Sequence, residues 1–339
     1  MPVEGDGPVA WQWLAGRFLM YAEFFGLERS PFANTADPAF FFRTAEHEEA
    51  LASLVYGVTQ RRGLTVITGP PGCGKTLLAH SLMRTLDGQA QSALVLHAPE
   101  NGHDLVATLC REFDVRHRAA QTTGELVERL HSHLCERFCE GKTAVAILDE
   151  AQNLSLDTLE HLRMLGNLER ENAKLLQIVL LGQPELIGVL RLPQMRQLCQ
   201  RVFCACQLRA LDRDQTRSYV RHRLTIAGAS ERELFTDEAI DLLHDRSGGL
   251  PRMINQIADS ALLLAYGANR PVVDRDTVSN ALKEMIALYG EGTSSESGND
   301  LPDGHTALVT DRSEGQATRQ GVPVRSTDEP TSTVSQGLD

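Results

Sequence analysis

The chain has 339 residues, of which 42% are hydrophobic, and a formal net charge of −12. This length and composition indicate a globular protein with one large or two modest domains, and no stretch reaches the roughly 20 apolar residues that span a membrane. Residues 291–339 contribute half of the net charge, with nine acidic and three basic side chains. The rest of the chain is only mildly acidic, so its net charge gives no support for nucleic-acid binding.

The two ends of the chain differ in composition from the part between them. Residues 1–19 form an N-terminal extension that holds both tryptophans and has Glu4 and Asp6 where a secretory signal would be basic. Residues 291–339 are rich in Ser, Thr, Gly, Asp and Pro, so we expect a disordered acidic tail. The seven scattered cysteines predict free thiols in a reducing compartment. Together these features favour a cytoplasmic location.

Between these ends, residues 20–209 alternate between helical and strand patterns. Thr44 is the predicted N-cap of a helix whose apolar residues recur at i, i+3, i+4 and i+7. Runs that are apolar on both faces, with helices between them, are typical of a parallel sheet covered on both sides. In such α/β domains ligands bind at the carboxyl ends of the strands. The predicted strands are residues 64–68, 92–97, 143–148, 175–181 and 202–208.

The strand signal stops after about residue 209. A small helical domain over residues 210–290 is predicted to follow the α/β domain as a lid. Thr236 and Asp274 are its predicted N-caps, and glycines at 228 and 248 end two of its helices. The predicted helices are residues 212–228, 236–247, 251–266 and 274–288.

The first predicted strand leads into the pattern G-x-x-x-x-G-K-[ST] of a phosphate-binding loop, or P-loop. The N–H groups of such a loop and the N-terminus of the next helix form a cradle for phosphates. Lys75 would reach the β- and γ-phosphates, and Thr76 would offer its hydroxyl to Mg²⁺. The predicted nucleotide-binding residues are Gly69, Pro70, Pro71, Gly72, Cys73, Gly74, Lys75, Thr76 and Leu77.

A buried strand that ends in two carboxylates, Asp149 and Glu150, supplies the second half of a hydrolysis site. Buried acids are costly unless they serve a purpose. Beside a P-loop, Asp149 can hold Mg²⁺ through water, and Glu150 can polarise the attacking water. The alternative is a solvated strand end with two ordinary acids.

Phosphoryl transfer also needs positive charge or oriented dipoles at the γ-phosphate. Gln183 follows the strand 175–181 and could orient water, or it could be an ordinary polar turn residue. Arg201 lies just before the last strand, where an arginine finger for a neighbouring subunit would sit; Arg196 competes with it, and either could be a plain surface arginine. Arg252 opens a helix of the small domain, where a cation is locally unfavourable, which suggests a partner such as the γ-phosphate.

These motifs together resemble an AAA+ ATPase and, more narrowly, the ExeA/GspA group of bacterial ATPases, over about residues 20–290. The resemblance implies ATP and Mg²⁺ as ligands, a site roofed by the helical domain, and a ring or other oligomer with ATP sites at subunit interfaces. It implies Gln183 as sensor 1, Arg252 as sensor 2 and Arg201 as the finger. The residues that carry it are Tyr21, Phe24-Phe25-Gly26-Leu27, Pro31-Phe32, Asp37-Pro38, Phe40-Phe41-Phe42, Asp149-Glu150-Ala151-Gln152-Asn153-Leu154 and Gly182-Gln183-Pro184-Glu185-Leu186.

The chain departs from the group's pattern in three places. The loop interior, from Pro70 to Cys73, is unusual. Where relatives often carry Asn-Pro after the second strand, this chain has Ala98-Pro99, which leaves the catalytic Glu without that polar restraint. Secretion-type members continue into a membrane segment and a peptidoglycan-binding domain, whereas this chain continues into the acidic tail, so we do not expect the cell-wall role to carry over intact.

Three functions are therefore open. The first is a Mg²⁺-dependent ATPase that drives assembly of an envelope machine for secretion, pili or polysaccharide export, working in the cytoplasm or peripherally at the inner membrane. The second is a DNA-associated ATPase of the kind that selects transposition targets. The third is a switch in which ATP binding, with little turnover, changes partner affinity.

Overall fold

The computed structural model describes residues 21–290, except 36, 119–120 and 230–231. The predictions for the extension 1–19 and for the acidic tail 291–339 lie outside the described residues.

The centre of the fold is a five-stranded parallel sheet with the strand order β2-β3-β6-β1-β7. Short loops and helices separate these strands along the chain, and a small antiparallel hairpin of β4 and β5 precedes the fourth strand of the sheet. The predicted α/β class with a helix-covered parallel sheet is confirmed. The strands are β1 (Leu64–Thr68), β2 (Ala90–Val95), β3 (Thr143–Leu148), β4 (Glu169–Arg170), β5 (Ala173–Lys174), β6 (Leu176–Gly182) and β7 (Val202–Gln207).

The helices of the first part of the chain cover the sheet, and those after β7 form a helical region. The first group comprises α1 (Ala45–Thr59), α2 (Lys75–Thr85), α3 (Gly102–Glu112), α4 (Thr123–Cys139), α5 (Leu156–Leu165), α6 (Glu185–Leu190) and α7 (Arg196–Cys199). The second comprises α8 (Arg213–Ile226), α9 (Asp237–Ser247), α10 (Pro251–Gly267) and α11 (Arg275–Gly290). As expected, Thr44 caps α1 and Thr236 caps α9 with their side chains.

Three hydrophobic clusters hold these layers together. Two lie on the opposite faces of the sheet, because β1, β3 and β6 are buried along their whole length. The third fills the helical region and includes Tyr21, Phe25, Phe32 and Phe40 from the segment before α1. The aromatic residues near the start of the described chain therefore pack with α8–α11, although the proposed domain boundary near 209 assigns them to the α/β part.

Two of the predicted strands need correction. The second strand ends at Val95, not at residue 97, because its partner β3 ends where Val95 pairs with Leu148; Leu96 beyond it is exposed. The last strand, β7, is the edge of the sheet, and its residues alternate between half-buried and exposed. Because successive side chains of a strand point to opposite faces, this alternation shows that β7 is covered on one face only, and the expectation of coverage on both faces fails there.

The strand register brings the predicted site segments to one edge. Thr68 of β1 pairs with Gly182 of β6, and Leu148 of β3 pairs with Leu180. Because all five strands are parallel, the loops that follow them meet at the end of the sheet where these paired residues lie. We call this the carboxyl edge, and the opposite end of the strands the amino edge.

Among the described residues, no helix is both long enough and apolar enough to cross a lipid bilayer.

Candidate active site

The P-loop wraps the N-terminus of α2. Gly69 donates its N–H to the Gly182 carbonyl at 3.1 Å, which anchors the start of the loop to β6. Gly72 and Gly74 both have positive φ, at 77° and 95°, a region that favours glycine. Gly74 is the N-cap of α2 and contributes no side-chain cap, so the first N–H groups of the helix, which lack intrahelical acceptors, are available to an anion.

The two polar side chains that open α2 are already oriented by the loop and by β3. Lys75 is buried and donates from Nζ to the carbonyls of Gly69 and Pro70, at 2.8 and 3.0 Å. Thr76 donates its hydroxyl to Asp149 Oδ2 at 2.5 Å, a contact between positions 73 residues apart. The structure thus brings together a cation, a hydroxyl and a buried carboxylate, as the two motifs predict.

Glu150 follows Asp149 in a left-handed conformation, with φ 51° and ψ 36°. Its N–H donates to Asp149 Oδ1 at 2.9 Å. The side chains of these two consecutive residues therefore lie in different surroundings. Glu150 lines the cavity next to the P-loop, whereas Asp149 is buried behind Thr76. Backbone strain of this kind is common at active sites.

A histidine holds the P-loop from the other side. The buried ring of His47 donates from Nε2 to the Cys73 carbonyl at 2.9 Å, and its Nδ1 accepts from the Thr44 hydroxyl at 2.9 Å. Burial lowers the pKa of His47 and raises that of the Cys73 thiol, so both side chains favour their neutral forms. Sequence reasoning identified Thr44 as a cap but missed this role of His47.

A cavity of about 290 Å³ lies between the P-loop and the helical region. Its floor consists of Gly72 to Leu77 and Glu150, and Arg252 at the start of α10 lies on the other side. The contact is close: a Cβ on Gly72 would lie 2.5 Å from Cβ of Arg252. The structure therefore places Arg252 against the P-loop. Of the described residues, Gln183, Asp149 and Gly69 to Pro71 are not among those that line the cavity.

The remaining wall was missed by sequence reasoning. Phe40, Phe41 and Phe42 line it together with polar residues of α8 and α10. The buried guanidinium of Arg223 ties this wall together, because it donates to the Pro31 and Ala33 carbonyls and lies 4.6 Å above the Phe40 ring. Three consecutive aromatic residues just before a helix were the available signal. Further polar wall residues are Asn34, Thr35, Tyr219 and Asn255.

Arg201 lies far from this cavity. It directly precedes Val202, which pairs with Leu64 at the start of β1, so it is at the amino edge, roughly 15 Å or more from the P-loop at about 3.3 Å per strand residue. There it donates to Asn167 Oδ1. Arg196 is exposed at the start of α7. Neither arginine lines the cavity of its own copy.

The arrangement at the carboxyl edge can bind a phosphorylated ligand and attack it with water. It combines a helix N-terminus and an ammonium group for anions, paired oxygen ligands suited to a hard cation, and an acidic residue, Glu150, in the cavity lining. An aromatic wall formed by Phe40, Phe41, Phe42 and Tyr219 suits a nucleobase.

Comparisons with known proteins agree with this geometry. Residues 58–190 match the AAA domain family. The chain is 38% identical over 274 residues to general secretion pathway protein A of Aeromonas hydrophila, a match that covers 81% of this chain and 50% of that protein. It is 28% identical over 223 residues to the replication factor C small subunit of Staphylothermus marinus, covering 64% of this chain and 58% of that one. This chain thus spans half the length of the first relative and 58% of the second.

Among solved structures, the ORC2 protein of Aeropyrum pernix, in ADPNP–ADP complexes, superposes with a TM-score of 0.59 at 18% identity, covering 76% of this chain and 72% of that one. Fold and site together define the class: the chain is a P-loop ATPase of the AAA+ class. Within that class it resembles general secretion pathway protein A over 81% of this chain and half of that protein.

Proposed function

We propose that this protein binds ATP with Mg²⁺ at the carboxyl edge and hydrolyses its β–γ phosphoanhydride bond. The observation that carries the proposal is the contact of Thr76 with Asp149, which joins the P-loop to the strand end that bears Glu150. This contact brings a phosphate-binding loop next to a candidate base, which supports hydrolysis as well as binding.

The P-loop residues bind the phosphates. The Lys75 ammonium neutralises charge on the β- and γ-phosphates, and the N–H groups at the start of α2 donate to their oxygens. Thr76 and Asp149 present adjacent hydroxyl and carboxylate oxygens, the ligand type that Mg²⁺ prefers, so these two residues would hold the ion. When bound, Mg²⁺ supplies positive charge to the phosphate oxygens.

Glu150 is the proposed base that orients and polarises the attacking water, because it lines the cavity beside the P-loop. Gln183, at the end of the strand beside β3, and Arg252, against Gly72, are the proposed sensors of the γ-phosphate. Support for Arg252 comes from its place on the cavity wall. Support for Gln183 is limited to its position at the carboxyl edge.

Arg201 is the proposed finger for the ATP site of a neighbouring copy. A residue at the amino edge can complete a site at the carboxyl edge only across a subunit interface, so this role requires a ring or another ATP-dependent oligomer. Arg196 remains the alternative finger.

Kinship with general secretion pathway protein A supports a role in the assembly of an envelope machine, for secretion, pili or polysaccharide export. We propose that the protein acts from the cytoplasm, peripherally at the inner membrane, on a protein component of that machine.

The test is the Glu150→Gln variant. We expect it to bind ATP as the unchanged protein does and to lose at least about 100-fold in the rate of phosphate release, because an amide cannot accept the water proton. Glu169→Gln, in the exposed β4–β5 hairpin, is the matched control and should retain full activity. Steady-state hydrolysis that is unchanged in Glu150→Gln would contradict the proposed mechanism.

A further inference from the structure

Gln152 connects the proposed base to the neighbouring strand. Its Nε2 donates to Glu150 Oε2 at 2.6 Å, and its Oε1 accepts the N–H of Gln183 at 2.9 Å. Both ends of one amide are therefore used within the site. Gly182 permits this approach, since a Cβ there would lie 3.2 Å from Gln152 Oε1.

The two contacts fix the orientation of the amide. A flipped amide would set its NH₂ group against the Gln183 N–H and its oxygen against a carboxylate, and both contacts would be repulsive. The Ala151–Asn153 turn of 3₁₀ helix, which starts directly after Glu150, points the amide back toward the carboxylate. Gln152 therefore has one arrangement in which it satisfies both neighbours.

The bond to Gln152 leaves one oxygen of the Glu150 carboxylate for the cavity. Glu150 lines the cavity while its Oε2 accepts this bond, so the bond holds the side chain at the cavity wall. A glutamate side chain has three rotatable bonds and would otherwise sample several rotamers. A hydrogen bond to a charged group is about twice as strong as a neutral one, which is enough to favour one of these rotamers.

The segment after β2 does not supply this restraint. The side chain of Ala98 in this segment has no hydrogen-bonding group, and Pro99 has no N–H. The polar partner of Glu150 in this fold comes instead from the same loop as Glu150 itself.

We propose that Gln152 is a positioning residue for hydrolysis: it holds the Glu150 carboxylate toward the cavity and ties it to the end of β6 through the Gln183 N–H. The inference rests on the proposed role of Glu150 as base. It adds that the base and the end of β6 move together, so that a shift at Gln183 changes the orientation of Glu150.

Two substitutions separate the two hydrogen bonds. Gln152→Met has nearly the same size and loses both. Gln152→Glu keeps an oxygen for the Gln183 N–H but loses the donor to Glu150 and sets two carboxylates side by side. Asn153→Ala, the exposed neighbour in the same turn, is the matched control. The measurements are kcat and KM for ATP hydrolysis, ADP affinity and the midpoint of thermal unfolding.

We expect Gln152→Met and Gln152→Glu each to lower kcat about 10-fold or more, since a small misplacement of a catalytic group can cost up to about 100-fold. KM and ADP affinity should change less than about threefold, and Asn153→Ala should match the unchanged protein. A purely structural role would leave Gln152→Glu active, because the bond to Gln183 persists. Retained kcat in Gln152→Glu, or a kcat that rises in either variant, overturns the proposal.

Failure of the inference can be told apart from failure of the proposed function. If Glu150→Gln abolishes hydrolysis while both Gln152 variants retain kcat, only the positioning role is lost. If Glu150→Gln hydrolyses ATP normally, the proposed function fails and the role of Gln152 fails with it.

Discussion

The carboxyl edge and the amino edge of the sheet differ in whether their functional residues meet within a single copy of the chain. At the carboxyl edge, Lys75, Thr76, Asp149 and Glu150 meet through contacts within the fold. At the amino edge, Arg201 donates to an exposed neighbour, Asn167, and does not line the cavity of its own copy. The contacts of the first edge therefore lie within one copy of the chain, whereas the proposed role of the second needs two copies.

The largest expected effect is on the amino edge. Under the proposed function, Arg201→Ala removes the finger and should lower kcat about 1,000-fold, the lower end of what such fingers contribute. ATP affinity should change little, because the P-loop of each copy is intact. Arg196→Ala, in the short helix just before it, is the matched control and should retain activity. A normal kcat in Arg201→Ala, with a loss in Arg196→Ala, would assign the finger to Arg196.

Mixing experiments decide whether the arginine acts between copies. Lys75→Ala is inactive by itself because it cannot bind phosphate, yet it still carries Arg201. Mixed with Arg201→Ala, it should restore phosphate release at interfaces that combine an intact P-loop with an intact arginine. The absence of recovery at any mixing ratio argues against action between copies.

The next effect concerns the contact of the P-loop with α10. Gly72→Ala would set a Cβ 2.5 Å from that of Arg252 at a φ of +77°. We expect ATP affinity to fall at least 10-fold, because the loop and the helix must separate. Gly88→Ala is the matched control: its φ is +75° and nothing lies within 4 Å. It should show only the backbone cost, roughly 1 kcal/mol of stability.

Equal ATP affinity in the two glycine variants would mean that the close approach of α10 has no role in binding. Equal losses of stability would mean that positive φ alone explains both. Isothermal calorimetry and urea unfolding separate these outcomes.

Local sequence patterns were sufficient for the carboxyl edge. Short local patterns, whose residues are adjacent or one helical turn apart, were enough to predict three features. These are the P-loop, the Asp149-Glu150 pair and the parallel sheet. The contact between Thr76 and Asp149 could also be inferred, since a parallel sheet brings the ends of its strands together.

The residues that were missed make contacts between distant segments. His47 holds a carbonyl 26 positions away, and Arg223 donates to a carbonyl 192 positions away. Nothing in the local pattern around either residue indicates a partner. Gln152 was visible as part of a motif, yet its role depends on Gln183, 31 positions later. Strand ends were also misplaced where the neighbouring strand, not the local sequence, sets them, as at Val95.

The smallest expected effect concerns His47 and the dependence of stability on pH. Its Nε2 donates to the Cys73 carbonyl, so Nδ1 must accept from Thr44, and a proton there would meet the donors of Thr44. Burial accordingly lowers the pKa of His47 in the folded state below its ordinary value of about 6.5. As the pH falls below about 6.5, the unfolded state binds this proton first, and the folded state loses stability.

Gln at position 47 keeps an Nε2 donor for the Cys73 carbonyl but cannot titrate. The free energy of unfolding, measured in urea from pH 8 to pH 5, should therefore fall less steeply in His47→Gln than in the unchanged protein below pH 6.5. The difference in slope is limited to about 1.4 kcal/mol per pH unit, the value for one proton. His133 and His222, whose pKa values burial also lowers, are present in both proteins and cancel. Parallel curves would show that the P-loop does not depend on neutral His47, and that the loop is held by its glycines and by β6 alone.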